Sequence, residues 1–381
     1  MKAIVVGGGI GGLTATVALR RAGIDATAYE RDIDTAPAVG SGLTLWSNAT
    51  RILAGLGLAD RVLAAGVPLE TFQNRTWRGR PMASWPIGCV SRRTGHPSLN
   101  ITRADLYDIL RSATAGHVVG RAEVSGVVST GDRAAARFTD GRLARADLLI
   151  GADGLRSRVR EHLLPVTTPR FAGYAIYRAV VPSAGDAAPP GVFTQLWGRG
   201  RRFGYYRVGG DRTYWFAVLN CAEADSDDPS QRAEMLRERF AGWTGATGAL
   251  LAATASAAIS RIRAYDRDPV RVWGAGPVTL LGDAAHPMTF NVGQGACQAI
   301  EDAATLTAEL RAGGPVPAAL RRYERRRMRP TARLTMRARL IGQAARCDKP
   351  VLTGVRDLAL GPLLSGPARR HHENLLTAEG E

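Results

Sequence analysis

Apolar residues along the chain follow two periods, and the switch between them marks its elements. Residues 3–6 form a continuous apolar run rich in β-branched side chains, and the next six are mostly glycine. Leu13 to Ala22 then repeats apolar positions at helical spacing until Gly23 stops it. This pattern predicts a strand, a tight turn and a helix. Ala26 to Glu30 predicts a second, parallel strand, which completes a βαβ unit and implies a doubly wound sheet. From Leu69 to Val90 the helical period is lost while Trp77, Trp85 and several prolines accumulate, and Thr102 to Ala113 returns to a helix that a hydroxyl can cap. Between Phe171 and Ile262, short alternating runs (175–181, 192–197, 203–208 and 213–219) predict an antiparallel sheet. Residues 229–243 predict a charged amphipathic helix beside it, and Gly248 to Ile259 an Ala-rich helix, buried or half-buried. Val278 to Gly282 predicts a return to a buried strand, so the doubly wound domain is discontinuous. The tail after Pro367, with His371-His372 and Glu379 to Glu381, reads as frayed chain.

Length and composition narrow the class. With 381 residues and 45% hydrophobic content the chain can bury one large core or two moderate ones. The formal charge of +16 suggests nucleic acid at first, but only Lys2 and Lys349 are lysines. The remaining 48 of the 50 basic residues are arginines spread along the chain, with one dense run, Arg321 to Arg329, in a helical stretch. A nucleic-acid binder concentrates its cations on one element and interleaves aromatics, so no nucleic-acid partner is expected. Cys89, Cys221, Cys297 and Cys347 have no paired spacing, which excludes a zinc or redox motif, and no metal site is expected. No apolar run approaches the roughly 20 residues of a membrane helix, and a strand begins at Lys2 without room for a leader. A cytoplasmic protein with no membrane partner, monomeric or homodimeric, is the expectation.

The chemistry lies in the glycines. Gly7-x-Gly9-x-x-Gly12 lets the chain turn off the strand, approach a pyrophosphate with no β-carbon in the way, and pack the helix closely on the sheet. The helix start then offers free N–H groups to the phosphates. Glu30 stands eighteen residues beyond Gly12, at the end of the second strand, where a carboxylate accepts hydrogen bonds from ribose hydroxyls. Together these point to an adenine dinucleotide, FAD or NAD.

Two further motifs separate those cofactors. Leu149-Ile150-Gly151-Ala152-Asp153-Gly154-Leu155-Arg156-Ser157 resembles the Asp-Gly motif of flavoprotein aromatic hydroxylases. Leu281-Gly282-Asp283-Ala284-Ala285-His286-Pro287, followed by Gly293-Gln294-Gly295-Ala296, resembles their Gly-Asp motif and the helix after it. Over residues 1 to roughly 345 the chain resembles the single-component, class A flavin monooxygenases of the salicylate hydroxylase and zeaxanthin epoxidase type. The resemblance implies an α/β fold like that of para-hydroxybenzoate hydroxylase: a Rossmann-like FAD-binding domain (1–68, 99–170 and 269–345), an inserted antiparallel substrate domain (69–98 and 171–268), and a C-terminal helical segment and tail (346–381).

A strand ending in Gly-Asp sets a carboxylate beside a turn, where it can hold a polyol such as ribitol. Gly293 and Gly295 open a helix whose start can stabilise negative charge on a reduced flavin. By resemblance, Asp283 holds the ribityl chain, and Val292, Gly293, Gln294, Gly295 and Ala296 meet the isoalloxazine. Gly7, Gly9, Gly11, Gly12, Glu30, Arg31, Gly42, Leu43, Val124 and Pro287 join the FAD site, and Arg103 serves the pyrophosphate. Asp153, with Arg156 and Arg158, is a candidate for a pyrophosphate or for a salt-bridged turn. Trp46 matches a loop beside the flavin, and Arg178 matches an arginine that reaches the flavin from the substrate sheet, as catalytic group or interdomain bridge. His286 is expected to be structural. Of the sheet aromatics, Trp197, Phe203, Tyr205, Tyr206, Tyr214 and Trp215, alternation sends only part toward the flavin, and most are expected in the core. Phe290 and Val292 depart from the proline and leucine expected around Asn291, which reshapes the pocket over the ring.

The activity implied is NADH- or NADPH-consuming monooxygenation of a small aromatic or conjugated substrate by molecular oxygen through a C4a-hydroperoxyflavin. No second glycine motif provides a separate nicotinamide domain. A cyclase or reductase on the same fold and a non-catalytic flavin protein are the competing readings.

Overall fold

The structure, a computed structural model, describes residues 1–32, 40–183 and 185–365; the tail beyond Pro367 lies outside them. The βαβ unit forms as its pattern requires. Strand Lys2–Val6 leads into helix Ile10–Arg21 and strand Asp25–Tyr29 pairs parallel to the first. Leu148–Gly151 and Val278–Leu280 extend the sheet on the other side, also in parallel. Val118–Val119 closes one edge, and the antiparallel Gly274–Ala275 the other, making six strands. Ile4, Val5, Leu149, Ile150, Val278 and Leu280 are almost wholly buried because the central strands pack against helices and against a three-stranded sheet, Val124–Thr130, Arg133–Phe138 and Leu143–Ala146. Each such side chain contributes about 1.5–3 kcal/mol of apolar burial.

A seven-stranded sheet forms the second layer. Its order is Ser260–Asp266, Arg170–Pro182, Arg212–Asn220, Arg201–Val208, Val192–Trp197, Thr71–Thr76 and Pro81–Pro86. Residues 71–86 thus join the strands from 170–266, although 83 residues separate them. The expectation of a purely antiparallel sheet needs one correction: Val192–Trp197 pairs parallel to Thr71–Thr76. A returning segment enters beside an existing edge in the direction its connection dictates, and alternation along a single strand does not encode that direction.

Period-two alternation sorts the aromatics as it must. Trp197, Tyr206 and Tyr214 line the cavity between the two layers. Phe203, Tyr205 and Trp215 lie on the opposite face, in a core closed by helices Arg232–Arg239 and Thr247–Ala252. Both helices are shorter than predicted. Gly242 and Gly245, with φ of 75° and 69°, break the first stretch. The Ala-rich segment leaves the helix after Ala252 and makes only a 3-10 turn at Ser256–Ala258. The predicted hydroxyl cap is present: Thr102 Oγ1 accepts from the Asp105 N–H at 3.0 Å, at the start of helix Arg103–Ala113. Helices Gly295–Arg311, Val316–Arg346 and Pro350–Ser365 complete the described residues.

Candidate active site

A cavity of about 740 Å³ lies at the carboxyl ends of the parallel strands, between them and the seven-stranded sheet. Open α/β sheets bind ligands at this edge. Two helix starts meet there. Helix Ile10–Arg21 begins after Gly9 and helix Gly295–Arg311 after Gln294. Neither has a side-chain cap or an acid in its first turn, so both present N–H groups and positive dipole ends to a ligand.

The glycines divide the work between packing and access. At Gly12 a β-carbon would stand 2.0 Å from the Gly7 carbonyl oxygen, and at Gly11 it would meet Leu281 and Ala299 at 2.8 and 3.1 Å. Gly7, with φ 107°, would clash with Ala152. A β-carbon at Gly9 or Gly295 would meet nothing within 4 Å, which leaves backbone that a phosphate or a flavin ring can approach. Glu30 accepts from the Gly8 N–H at 2.6 Å and the Asp32 N–H at 2.9 Å, and its remaining lone pairs stay available to a ribose.

Asp283, Arg103 and Arg178 face one another across the cavity. The Asp283 carboxylate is open to the cavity, yet protein surrounds it closely enough that burial pushes its carboxyl up, against the pull of His286 and Arg103. Burial lowers the Arg103 guanidinium; Asp283 opposes that shift and Arg178 adds to it. Arg178 donates from Nε to Ser260 Oγ at 3.2 Å. Trp46 donates to the Gly293 carbonyl at 2.9 Å and pins the left-handed turn, φ 63°, before the second helix start.

Gly9, Gly11, Gly42, Leu43, Arg103, Arg178, Asp283 and residues 292–296 all line this cavity. Other candidates sit elsewhere. Asp153 accepts from the N–H groups of Arg158 and Val159 at 2.7 and 3.2 Å and from the Ser157 hydroxyl, so its carboxylate caps helix Arg158–Leu163. Arg158 pairs with Glu161 at 2.8 Å. Asp153 is thus a hydrogen-bonded helix cap and has no ion-pair partner among the described residues. The Val124 side chain packs in the sheet core, and Pro287 is buried behind the cavity wall. Gly7 and Gly12 support the turn from behind. Arg31 is on the surface, paired with Asp32 at 3.0 Å.

Behind the Gly-Asp turn lies a buried charge network. Asp302 accepts from the Gly282 N–H at 2.9 Å, from Arg327 Nε at 2.6 Å, and meets His286 Nε2 at 2.6 Å. Burial alone would raise the Asp302 carboxyl, but His286 and Arg327 outweigh it and hold it at about 2. Arg327 also reaches Glu301 at 2.6 Å, so the network ties the turn to both long helices. His286 has its structural place here, as expected.

One residue escaped the sequence reading. Arg202 is 1% exposed, lies between the Trp197 and Phe290 rings at 5.2 Å from each, and donates from Nη2 to Asn291, while its Nε and Nη1 have no partner among the described residues. Burial lowers it to about 10. Its signal was weak: one arginine among 48, inward-facing only once the strand's phase is known. Phe290, the departure from the family pattern, forms the aromatic wall with Phe216 and Tyr174 at 5.5 and 6.1 Å.

A second, more open concavity of about 800 Å³ lies on the outer face of the seven-stranded sheet. Arg232 and Arg261 pair there with Asp227 at 2.5 and 3.2 Å, and it holds none of the motif residues.

Residues 1–338 match the family described as FAD binding domain. The chain belongs to the FAD-dependent aromatic hydroxylases. It is 39% identical to the aurachin C monooxygenase/isomerase of Stigmatella aurantiaca over 94% of this chain and 93% of the relative. It is 35% identical to a FAD-dependent urate hydroxylase of Klebsiella pneumoniae, over 94% and 92%. Among solved structures, HpxO of Klebsiella pneumoniae complexed with FAD and uric acid superposes with a TM-score of 0.90 at 32% identity, over 99% of this chain and 96% of that one. A salicylate hydroxylase substrate complex shares the fold, with a TM-score of 0.80 at 22% identity. The chain is thus a FAD-dependent monooxygenase with the fold of that family, as the motifs led us to expect. The residues present fit FAD: two uncapped helix starts, glycines with open space above them and a carboxylate facing the cavity.

Proposed function

We propose that this monooxygenase uses NADH or NADPH to insert one atom of dioxygen into a small, flat, conjugated ring held against Phe290. When bound, FAD supplies the redox chemistry, taking two electrons from reduced nicotinamide and passing one oxygen atom to the substrate and the other to water. The Gly9 and Gly11 backbone, with Arg103, binds the pyrophosphate; Glu30 accepts from the ribose and Asp283 from the ribityl chain. The start of helix Gly295–Arg311 faces the pyrimidine end, where its dipole stabilises negative charge. Arg178 projects from the sheet into the same space, and Phe290, Phe216, Tyr206 and Tyr214 exclude water around the reacting atoms.

The observation that carries this reading is the cavity itself, in which both uncapped helix starts, Asp283 and the aromatic wall converge. The aromatic lining of the cavity, Phe72, Trp85, Phe193, Trp197, Phe216 and Phe290, supports a flat conjugated substrate. Relatives are named for urate, 3-amino-4-hydroxybenzoate, 6-hydroxynicotinate and aurachin C, and these form the first panel. Purified protein should carry a flavin spectrum, and one panel compound should accelerate NADH or NADPH oxidation about tenfold or more. A flavin that no reduced nicotinamide bleaches under anaerobic conditions would remove the nicotinamide from the proposal.

A further inference from the structure

We propose that the outer face of helix Val316–Arg346, together with helix Pro350–Ser365, docks on an anionic lipid surface. Thirteen large hydrophobic side chains are exposed among the described residues, and six of them cluster here: Met336, Leu340, Val351, Leu352, Val355 and Leu358, from 47% to 78% exposed. Val351, Val355 and Leu358 fall at i, i+4 and i+7, on a single helical stripe. The opposite face is anchored. Thr353 and Arg356 are buried, with the Arg356 guanidinium 5.5 Å over the Trp197 ring. That anchoring holds the aliphatic stripe outward, and no described residue covers it.

Charge decides what would cover it. On helix Val316–Arg346 the exposed positions 325, 329, 333, 336 and 340 follow helical spacing, so three arginines lead directly to Met336 and Leu340. No acidic residue occurs from Arg325 to Cys347, and Arg329 and Arg333 have no ion-pair partner among the described residues. Arg346 and Lys349, both exposed, precede the last helix, with the exposed Asp348 between them. A second copy would bring the same cations and the same +16 to the contact. An anionic headgroup layer complements the arginines, and the acyl boundary beneath it accepts the aliphatic stripe. The face also continues into the active site: Leu340 is 64% exposed and, with Ile341 and Ala344, lines the cavity. On the monooxygenase reading, docking brings this rim to the lipid, from which an apolar substrate reaches the flavin. Such docking departs from the sequence expectation of no membrane partner; no helix among the described residues is long and apolar enough to span, and the contact proposed is peripheral.

The test is flotation of the full flavin-loaded chain with vesicles of phosphatidylglycerol and phosphatidylcholine, beside vesicles of phosphatidylcholine alone. The chain should float with the first set, weakly or not at all with the second, and be released by salt. V351S/V355S/L358S and R329Q/R333Q should each weaken binding about tenfold or more, with flavin content and melting curve unchanged, because all five positions are exposed and none touches the cofactor site. Absence of flotation, or binding by both variants equal to that of the wild type, overturns the proposal. A dimer that light scattering finds in the wild type and not in the stripe variant also overturns it, since a second copy then covers the face. Flotation does not depend on turnover, so it stands or falls apart from the monooxygenase reading.

Discussion

Replacing Asp302 by asparagine keeps the volume of a fully buried side chain and removes the charge on which Arg327 and His286 converge. The Asp302 carboxyl sits at about 2, against an ordinary 3.8, so its ionised form is favoured in the folded state. That difference contributes about 2 kcal/mol, present above the ordinary carboxylate range and lost as pH falls from about 4 through about 2. Removing one partner of a buried pair costs more, about 3–5 kcal/mol, because the remaining charge is stranded. Arg327 keeps Glu301 at 2.6 Å, which favours the lower end, about 3 kcal/mol. The loss reaches the cofactor, since Asp302 also holds the Gly282 N–H and with it the turn carrying Asp283. D302N should therefore lower the denaturant midpoint by the equivalent of about 3 kcal/mol and weaken FAD binding, read by fluorescence titration of the apoprotein. A D302N protein within about 1 kcal/mol of wild type and with unchanged FAD affinity would refute this account of the network.

The glycines permit a cleaner separation. G9A should fold normally and lose FAD affinity by tenfold or more, since its β-carbon meets only open space, whereas G12A should fold poorly at 2.0 Å from the Gly7 oxygen; circular dichroism and flavin absorbance distinguish the two. D283N should stabilise the apoprotein near neutral pH while weakening FAD binding. Burial raises this carboxyl, so the charged form is disfavoured above the ordinary carboxylate range and the penalty vanishes as pH falls below it; melting curves at pH 7 and pH 4 check the sign. R202M should lower stability by about 1–2 kcal/mol, because it removes the Nη2 bond to Asn291 and the cation held between the Trp197 and Phe290 rings; an unshifted melting curve would contradict this.

What could be read from sequence depended on how local each signal is. The βαβ unit was legible because strand period, glycine turn and helix follow one another within thirty residues, and Thr102 announced its helix through a single side chain. The split of Trp197, Tyr206 and Tyr214 from Phe203, Tyr205 and Trp215 followed from alternation alone, once a sheet was expected. The parallel pairing of Thr71–Thr76 with Val192–Trp197 was not legible, since it joins segments 121 positions apart and no local period records strand direction. Asp153 was ambiguous for a related reason. The same carboxylate beside a turn can hold a phosphate or cap a helix, and only the position of the Arg158 and Val159 N–H groups decides. Arg202 and the Asp302 network depend on which charges become buried together, a property of the packed chain.

The central claim, oxygen transfer from dioxygen at this flavin site, is tested most directly by isotope. Turnover of an accepted panel compound under ¹⁸O₂ in ordinary water should give a product whose mass shows one ¹⁸O atom, with no such label when ¹⁸O is supplied as water. A product that takes its oxygen from water, or a substrate changed without gaining oxygen, would contradict the account.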